Sequence, residues 1–475
     1  MTLIAEPTTA TVPTNVGSSA RARLREFGRP PRLMGVDVAR GLAIVGMIGA
    51  HVGVTATLRW GDPTTWSGIV NGRSSILFAL VAGISLALAS GGQQRPHGEA
   101  LRRARLRMAG RALVVLSVGL ALELMGGTIA IILPVYGMLF LVTIPFLGLR
   151  RRTLLITAAS AAVAGPAMLA TVHLLALGQG GPGVDLLLTG AYPLTVWLPL
   201  MLAGIALGRS SLGSIKAGVM LLVVGVVLAV TAYAVGNTVS TALGGATESN
   251  PSGSVTSGSS PSGEATTGTA AQDMPESQTK PGEQVDLSGK TCQIYADGYT
   301  ACSPPGAPQG SSVVHVGSDG FPGYLKSFTK EGGLSTVPAT ALAVGPHSGG
   351  TFEILGSGGF ALAVLGACLL LVRPLRWLLI PIAAAGTMPL TAYTLHVVSC
   401  VLLVSPLALA PQLSQSTTLG GNGFWLLSIA SLLTGCTVWA ITAGRGPMER
   451  LAAWGAKRVD GAGAGARRGA QENAE

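Results

Sequence analysis

The chain has 475 residues, of which 48% are hydrophobic and only 11% charged, with 67 glycines and a mean hydropathy of +0.53. That balance excludes an ordinary soluble domain and reads as a polytopic membrane protein. The net charge of +10 argues for no nucleic-acid partner, because the basic residues cluster in short stretches between apolar runs, as loops on the cytoplasmic face of a membrane protein do.

Residues 1–35 form a basic tail with Arg21, Arg23, Arg25, Arg29 and Arg32. The apolar run that follows is too long for the core of a secretory leader and has no small-residue cleavage site after it, so it reads as a true span. Windows of about twenty apolar residues predict about ten spans. They fall at 36–58, 74–91, 109–126, 128–148, 153–176, 192–208, 214–236, 353–372, 377–404 and 423–443. Arg95, Arg102, Arg103, Arg105 and Arg107 follow the second span, and Arg150 to Arg152 follow the fourth. Arg209 and Lys216 follow the sixth, Arg373 and Arg376 the eighth, and Arg445, Arg450, Lys457 and Arg458 the tenth. Every basic cluster thus lies on one side, which predicts both termini in the cytoplasm. The expected fold is an all-α polytopic bundle in the lipid bilayer. Helices one to seven occupy 36–236, helices eight to ten occupy 351–444, and a basic cytoplasmic tail covers 445–475.

Residues 237–350 interrupt the pattern and, by the same count, lie outside the cell. Their first half, around SNPSGSVTSGSSPSGEATTGTA, lacks the apolar content of a packed core and reads as a disordered linker. The second half holds Cys292 and Cys302, ten apart and flanked by Tyr295 and Tyr299. In an oxidising compartment a disulfide is the favoured reading, since a zinc site would need more nearby Cys or His ligands. Cys368, Cys400 and Cys436 lie in apolar spans and read as packing residues. No metal site is evident.

The chemistry concentrates in the first span, VDVARGLAIVGMIGAH, which carries Asp37, Arg40, Gly41 and His51. Ionisable side chains in a bilayer-crossing helix are costly and mark functional sites by default. A helix rises about 1.5 Å per residue, so His51 lies about 21 Å beyond Asp37, toward the outer face. His396 and His347 reach a similar level, Tyr393 shares a helix face with His396 three residues on, and Arg73 opens the second span from outside. These would form an outward-facing polar pocket in which an imidazole accepts and returns a proton. The blander alternatives stay open. His396 and Tyr393 are equally consistent with cross-linking helices, His347 with an interfacial role, and Asp37 with Arg40 as an anchoring ion pair at i and i+3.

The order Asp37, Arg40, Gly41, His51 resembles the first-helix signature of the membrane acyltransferase superfamily. GRSSILFALVAGISLAL, with Arg73, Leu77, Phe78 and Gly83, and ILPVYGMLFL, with Tyr136 and Gly137, resemble segments of its heparan-α-glucosaminide N-acetyltransferase and bacterial YeiB-like branch. LMLAGIALGR, GTMPLTAYTLHV and RGPMERL, the last with Glu449, are similar to further family segments. Two departures stand out. Ile131 occupies the place of a family Asp, and the loop LRWGDPTTWSGIVNG has no His where the lysosomal branch places its catalytic one. The resemblance implies a bacterial plasma-membrane enzyme that moves an acyl group, typically acetyl, from cytosolic acetyl-CoA or another acyl-CoA to an extracytoplasmic sugar or glycolipid. It implies an acyl-transfer imidazole at His51, His396 or His347, with Tyr393, Tyr136 and Arg73 on the substrate or oxyanion side, and Asp37 and Arg40 structural or facing the donor. A homo-oligomer is compatible with this reading. The rival reading is a transporter or exporter with the same polar cluster as its binding site.

Overall fold

The computed structural model describes residues 20–29, 32–53, 58, 61–126, 129–175, 192–243, 291–294, 300–303, 336–404 and 423–472. The chain divides into two units, Met1–Gly253 with Leu325–Glu475, and Ser254–Tyr324.

In the described part of the larger unit every regular element is helical. In chain order these are α1 (Ala20–Glu26), α2 (Met34–Val52), α3 (Arg73–Ala89), α4 (Gly98–Glu123), α5 (Leu133–Thr143) and α6 (Arg151–Leu175). After them come α7 (Leu194–Gly208), α8 (Ile215–Ala242), the short α9 (Val337–Ala341), α10 (Thr351–Leu371), α11 (Ile380–Thr387), α12 (Pro389–Ser399), α13 (Gly423–Thr442) and α14 (Pro447–Glu472). A 3₁₀ stretch, Pro63–Val70, leads into α3. It starts at Asp62, whose carboxylate accepts from the Thr64 backbone N–H at 3.0 Å. Hydrogen bonds from Thr64 hold that carboxyl below its ordinary range.

Six of the ten expected spans are helices long and apolar enough to cross a bilayer: α2, α3 with its 3₁₀ lead-in, α6, α8, α10 and α13. The other four differ, each for a local reason. The expected spans at 128–148 and 192–208 are short apolar helices, Leu133–Gly148 and Leu194–Gly208. The span at 109–126 belongs to α4, whose apolar stretch is bounded by Arg111 and Glu123. The run at 377–404 is not one straight span. It breaks at Met388 (φ −131°, ψ 57°) into α11 and α12, which meet at 90°. Proline at 389 explains the break, because it disfavours helical geometry in the residue before it and cannot donate to the preceding turn.

Small residues set how closely these helices approach, as expected where lipid removes any hydrophobic drive for helix association. On α8 and α10, Gly225 faces the Ala363 backbone and Gly359 the Ala229 backbone. On α3 and α7, Gly83 faces the Met201 carbonyl and Gly204 the Leu80 carbonyl. On α2 and α11, Gly41 faces the Ile382 carbonyl and Gly386 the Asp37 carbonyl. Side chains that turn away from these seams, such as Val223, Val227 and Val230 of α8, are exposed and apolar, as a lipid-facing surface requires.

The basic loops are tied together at one end of this unit. Arg23 donates to the Ile441 and Thr442 carbonyls, and Arg376 to those of Arg25 and Phe27 at 2.6 Å. Arg373 donates to Gly213 O, Arg105 to Pro145 O, and Arg107 pairs with Asp460 at 2.8 Å. The buried Arg209 gathers Gly92 O, Gln94 O, Leu147 O and Ser90 Oγ. The clusters that charge alone put on one side of a membrane are therefore joined as one arginine-rich end.

In the smaller unit, β1 (Thr291–Ile294) and β2 (Thr300–Ser303) form an antiparallel pair. Its register sets Cys292 directly opposite Cys302. Most of the expected linker lies outside the described residues.

Candidate functional site

The first polar cluster belongs to α2, α3 and α11 near the arginine-rich end. Asp37 is buried in the first turn of α2, where a carboxylate complements the helix dipole. Arg32 reaches it at 3.3 Å and Arg40 at 2.9 Å. The Arg40 guanidinium also donates to Gly386 O of α11 and to Ser85 Oγ of α3, both at 2.6 Å. With hydrogen bonds on three helices, Arg40 is a cross-brace. The sequence left these two residues between structural and donor-side roles; their contacts are those of a structural network.

The second cluster forms where α2 ends. His51 Nδ1 lies 3.1 Å from His396 Nε2, and the two rings are stacked with centroids 5.3 Å apart and planes 6° from parallel. One ring donates and the other accepts across this contact, with the roles set by the tautomers. His396 is buried and His51 partly so. Tyr393, one helical turn before His396, presents its ring edge-on to His51 with centroids 6.5 Å apart. Its hydroxyl accepts from the Ile132 backbone N–H at 3.3 Å, which leaves its own O–H available to donate. Cys400 Sγ sits 3.7 Å from both ring nitrogens of His396, where α12 passes into the π-helical turn Cys400–Val404. Such turns recur at functional sites because they re-aim a side chain within a helix. Trp425 of α13 packs over the end of α2, where a Cβ on Gly49 would lie 2.7 Å from its ring.

The position of His396 depends on an acid from elsewhere in the chain. Glu449, in the first turn of α14, accepts from the backbone N–H groups of Leu390 at 2.7 Å and Thr391 at 3.2 Å, and from Thr391 Oγ1 at 2.5 Å. It thereby caps the first turn of α12, whose N–H groups have no partner within the helix. The second helix half is thus held at its start by Glu449 and presents His396 to His51 two turns later.

A third cluster involves α3, α8 and α10. Glu353 is buried to 1% exposure in the first turn of α10. Its carboxylate accepts from the backbone N–H groups of His347 at 2.6 Å and Gly349 at 2.7 Å, and from Ser348 Oγ at 3.2 Å. His347 has φ 61°, positive for a non-glycine residue. Its ring meets Tyr192 edge-on at 6.1 Å, and Tyr192 lies 6.0 Å from Trp197. Arg73, 8% exposed, lies over the Tyr233 ring at 5.4 Å and within electrostatic reach of Glu353. Tyr136, which the sequence put on the oxyanion side, instead donates its hydroxyl to Ser75 O at 3.0 Å and packs against Phe78. That hydroxyl hydrogen is already committed to α3.

Of the sequence-derived candidates, then, His51, His396 and Tyr393 come together, Arg73 and His347 are joined through Glu353, and Asp37 with Arg40 form a separate brace. Among the described residues no group of three or more His, Cys, Asp or Glu side chains is arranged to hold a metal. Sequence reasoning gave no role to Glu353, Ser85 or Tyr192. The signal for Glu353 was present: an acid three residues into an apolar span carries the same argument as Asp37.

Residues 32–236 match the family model described as heparan-alpha-glucosaminide N-acetyltransferase, catalytic. Residues 337–458 match the model described as protein of unknown function (DUF418). No curated protein and no solved structure matches the chain significantly. The first match contains His51 and Arg73, and the second contains His396, Glu353 and Glu449. Both sides of the histidine pair therefore lie in matched segments.

Proposed function

The chain belongs to the membrane family of heparan-α-glucosaminide N-acetyltransferase-like and YeiB-like proteins, and from that premise we propose that it transfers an acyl group from acyl-CoA to a sugar or glycolipid acceptor across a bacterial plasma membrane. The observation that carries this reading is the His51 and His396 pair at 3.1 Å. In the proposed orientation both termini and the arginine-rich end face the cytoplasm. Arg102, Arg103, Arg105 and Arg107 near the start of α4 offer positive charge to the phosphates of CoA, and the flexible pantetheine arm carries the thioester toward His51.

In the proposed reaction His51 donates its Nδ1 hydrogen to His396 Nε2, which leaves the His51 Nε2 lone pair as the base. That nitrogen takes a proton from the acceptor amine or hydroxyl as the acceptor atom attacks the thioester carbonyl. The Tyr393 hydroxyl, whose oxygen is oriented by the Ile132 N–H, donates to the developing oxyanion. Collapse of the tetrahedral intermediate breaks the carbon–sulfur bond. CoA leaves as the thiol with the proton that His51 held, and both histidines return to their starting state. Acetyl-CoA is the expected donor.

The test uses purified protein in lipid vesicles with acetyl-CoA on the arginine-rich side and glucosamine on the other. Release of CoA thiol should require glucosamine and should vanish in His51→Ala. Release that ignores both, or glucosamine transport that needs no acyl-CoA, would overturn the proposal. An acylated His51 found by mass spectrometry with acetyl-CoA alone would replace the direct transfer with a two-step one.

A further inference from the structure

The Arg73 guanidinium is a buried cation with hydrogen-bonding capacity to spare. It is 8% exposed, and its Nε and Nη1 have no hydrogen-bond acceptor among the described residues. Desolvating a guanidinium costs several kcal/mol unless charge and hydrogen bonds are both restored. Here only the charge is offset. Glu353 lies within electrostatic reach, but the hydrogen bonds its carboxylate accepts come from His347 N, Gly349 N and Ser348 Oγ, none from Arg73 Nε or Nη1. The Tyr233 ring lies beneath the guanidinium at 5.4 Å, and the Tyr233 hydroxyl is itself held by Ser357 Oγ at 2.8 Å. Trp197 is linked to this cluster through rings, lying 6.0 Å from Tyr192, which meets the His347 ring at 6.1 Å. Its Nε1 is a second buried donor with no acceptor among the described residues. Arg73 Nε, Arg73 Nη1 and Trp197 Nε1 are thus buried donors without acceptors among the described residues.

Arg73 is also far from the charges that would serve CoA. It starts α3, whose other end leads into the Ser90–Gln94 loop held by Arg209 at the arginine-rich end. Seventeen helical residues separate the two by about 25 Å. An oxyanion at Arg73 would thus come from the acceptor side.

We propose that Arg73, buried over Tyr233 with Nε and Nη1 unmet, binds an oxyanion carried by the acceptor, so that the preferred acceptor is an acidic sugar bearing a phosphate or a carboxylate. The inference rests on the acyl-transfer reading only for calling the ligand an acceptor. The guanidinium fork supplies two or more N–H donors to one oxyanion, which a lysine ammonium matches in charge but not in shape.

Binding of three probes to the full-length protein in detergent, measured by titration calorimetry, tests it: glucosamine, glucosamine 6-phosphate and glucuronic acid. Wild type should bind at least one acidic probe about tenfold or more tightly than glucosamine, and the two acidic arms tell phosphate from carboxylate. Arg73→Gln should abolish that preference, and Arg73→Lys should keep part of it. Equal binding of all three probes by wild type overturns the proposal without any variant, and so does an undiminished preference in Arg73→Gln. If wild type shows the acidic preference and Arg73→Gln loses it, while no CoA is released with any probe, the anion site stands and the acyl-transfer reading falls.

Discussion

Replacing His51 and His396 one at a time separates the nitrogen that moves a proton from the ring that orients it. The contact between them is 3.1 Å long, and in the proposed resting state both rings are neutral. A neutral hydrogen bond nets about 0.5–1.5 kcal/mol. His396→Gln offers an amide oxygen near the position of the lost nitrogen, so it should forfeit no more than that. At about 1.4 kcal/mol per tenfold, the expected slowing is about 2- to 12-fold. Removing a general base costs about 10²- to 10⁴-fold, and His51→Ala belongs in that range. The double variant should be no slower than His51→Ala alone, because His396 acts only through His51. Initial rates of CoA thiol release with a saturating amino-sugar acceptor measure all three. Equal losses for His396→Gln and His51→Ala, or losses that multiply in the double variant, would refute the assignment.

Three further outcomes follow from the packing. Arg40→Gln removes the cross-brace on Asp37, Ser85 and Gly386 and should cost about 3–5 kcal/mol of stability, with part restored in Asp37→Asn/Arg40→Gln; unfolding in mild detergent reads both. Glu449→Ala uncaps α12 and should cost about 1 kcal/mol. Because the cap also sets where His396 stands, it should lower the rate as well, and Glu449→Gln should fall between. Gly386→Ala places a methyl group against the Asp37 carbonyl, so about 1–3 kcal/mol of overpacking is expected, seen as a lower melting temperature.

Hydropathy made α2, α6, α8, α10 and α13 legible, because each is a long run in which the local signal and the tertiary outcome agree. It missed the break at Met388, because averaging over a window hides a turn that Pro389 and Gly386 announce one residue at a time. The side chains of the site were legible as types. His51, His396, Tyr393 and Arg73 are polar groups on apolar runs, and that incongruity needs no structure to see. Their pairing was not legible, since His51 and His396 are 345 residues apart in sequence and only packing decides which polar groups meet. Tyr136 shows the converse. Its phenol is suited to an oxyanion site, but Ser75 O claims it, a contact that no spacing rule supplies.

The bent helix pair also makes the chain a gauge of length. Pro389 and His396 are seven residues apart, within about 20° of two full turns, so the histidine points along the same face as the residue at the corner. One residue added or removed between them would swing the imidazole by about 100° around the axis, away from His51, without changing a single side chain in the cluster. Alignment of the pair is thus fixed by counting as much as by chemistry, and evolution can vary the residues of this segment more freely than their number.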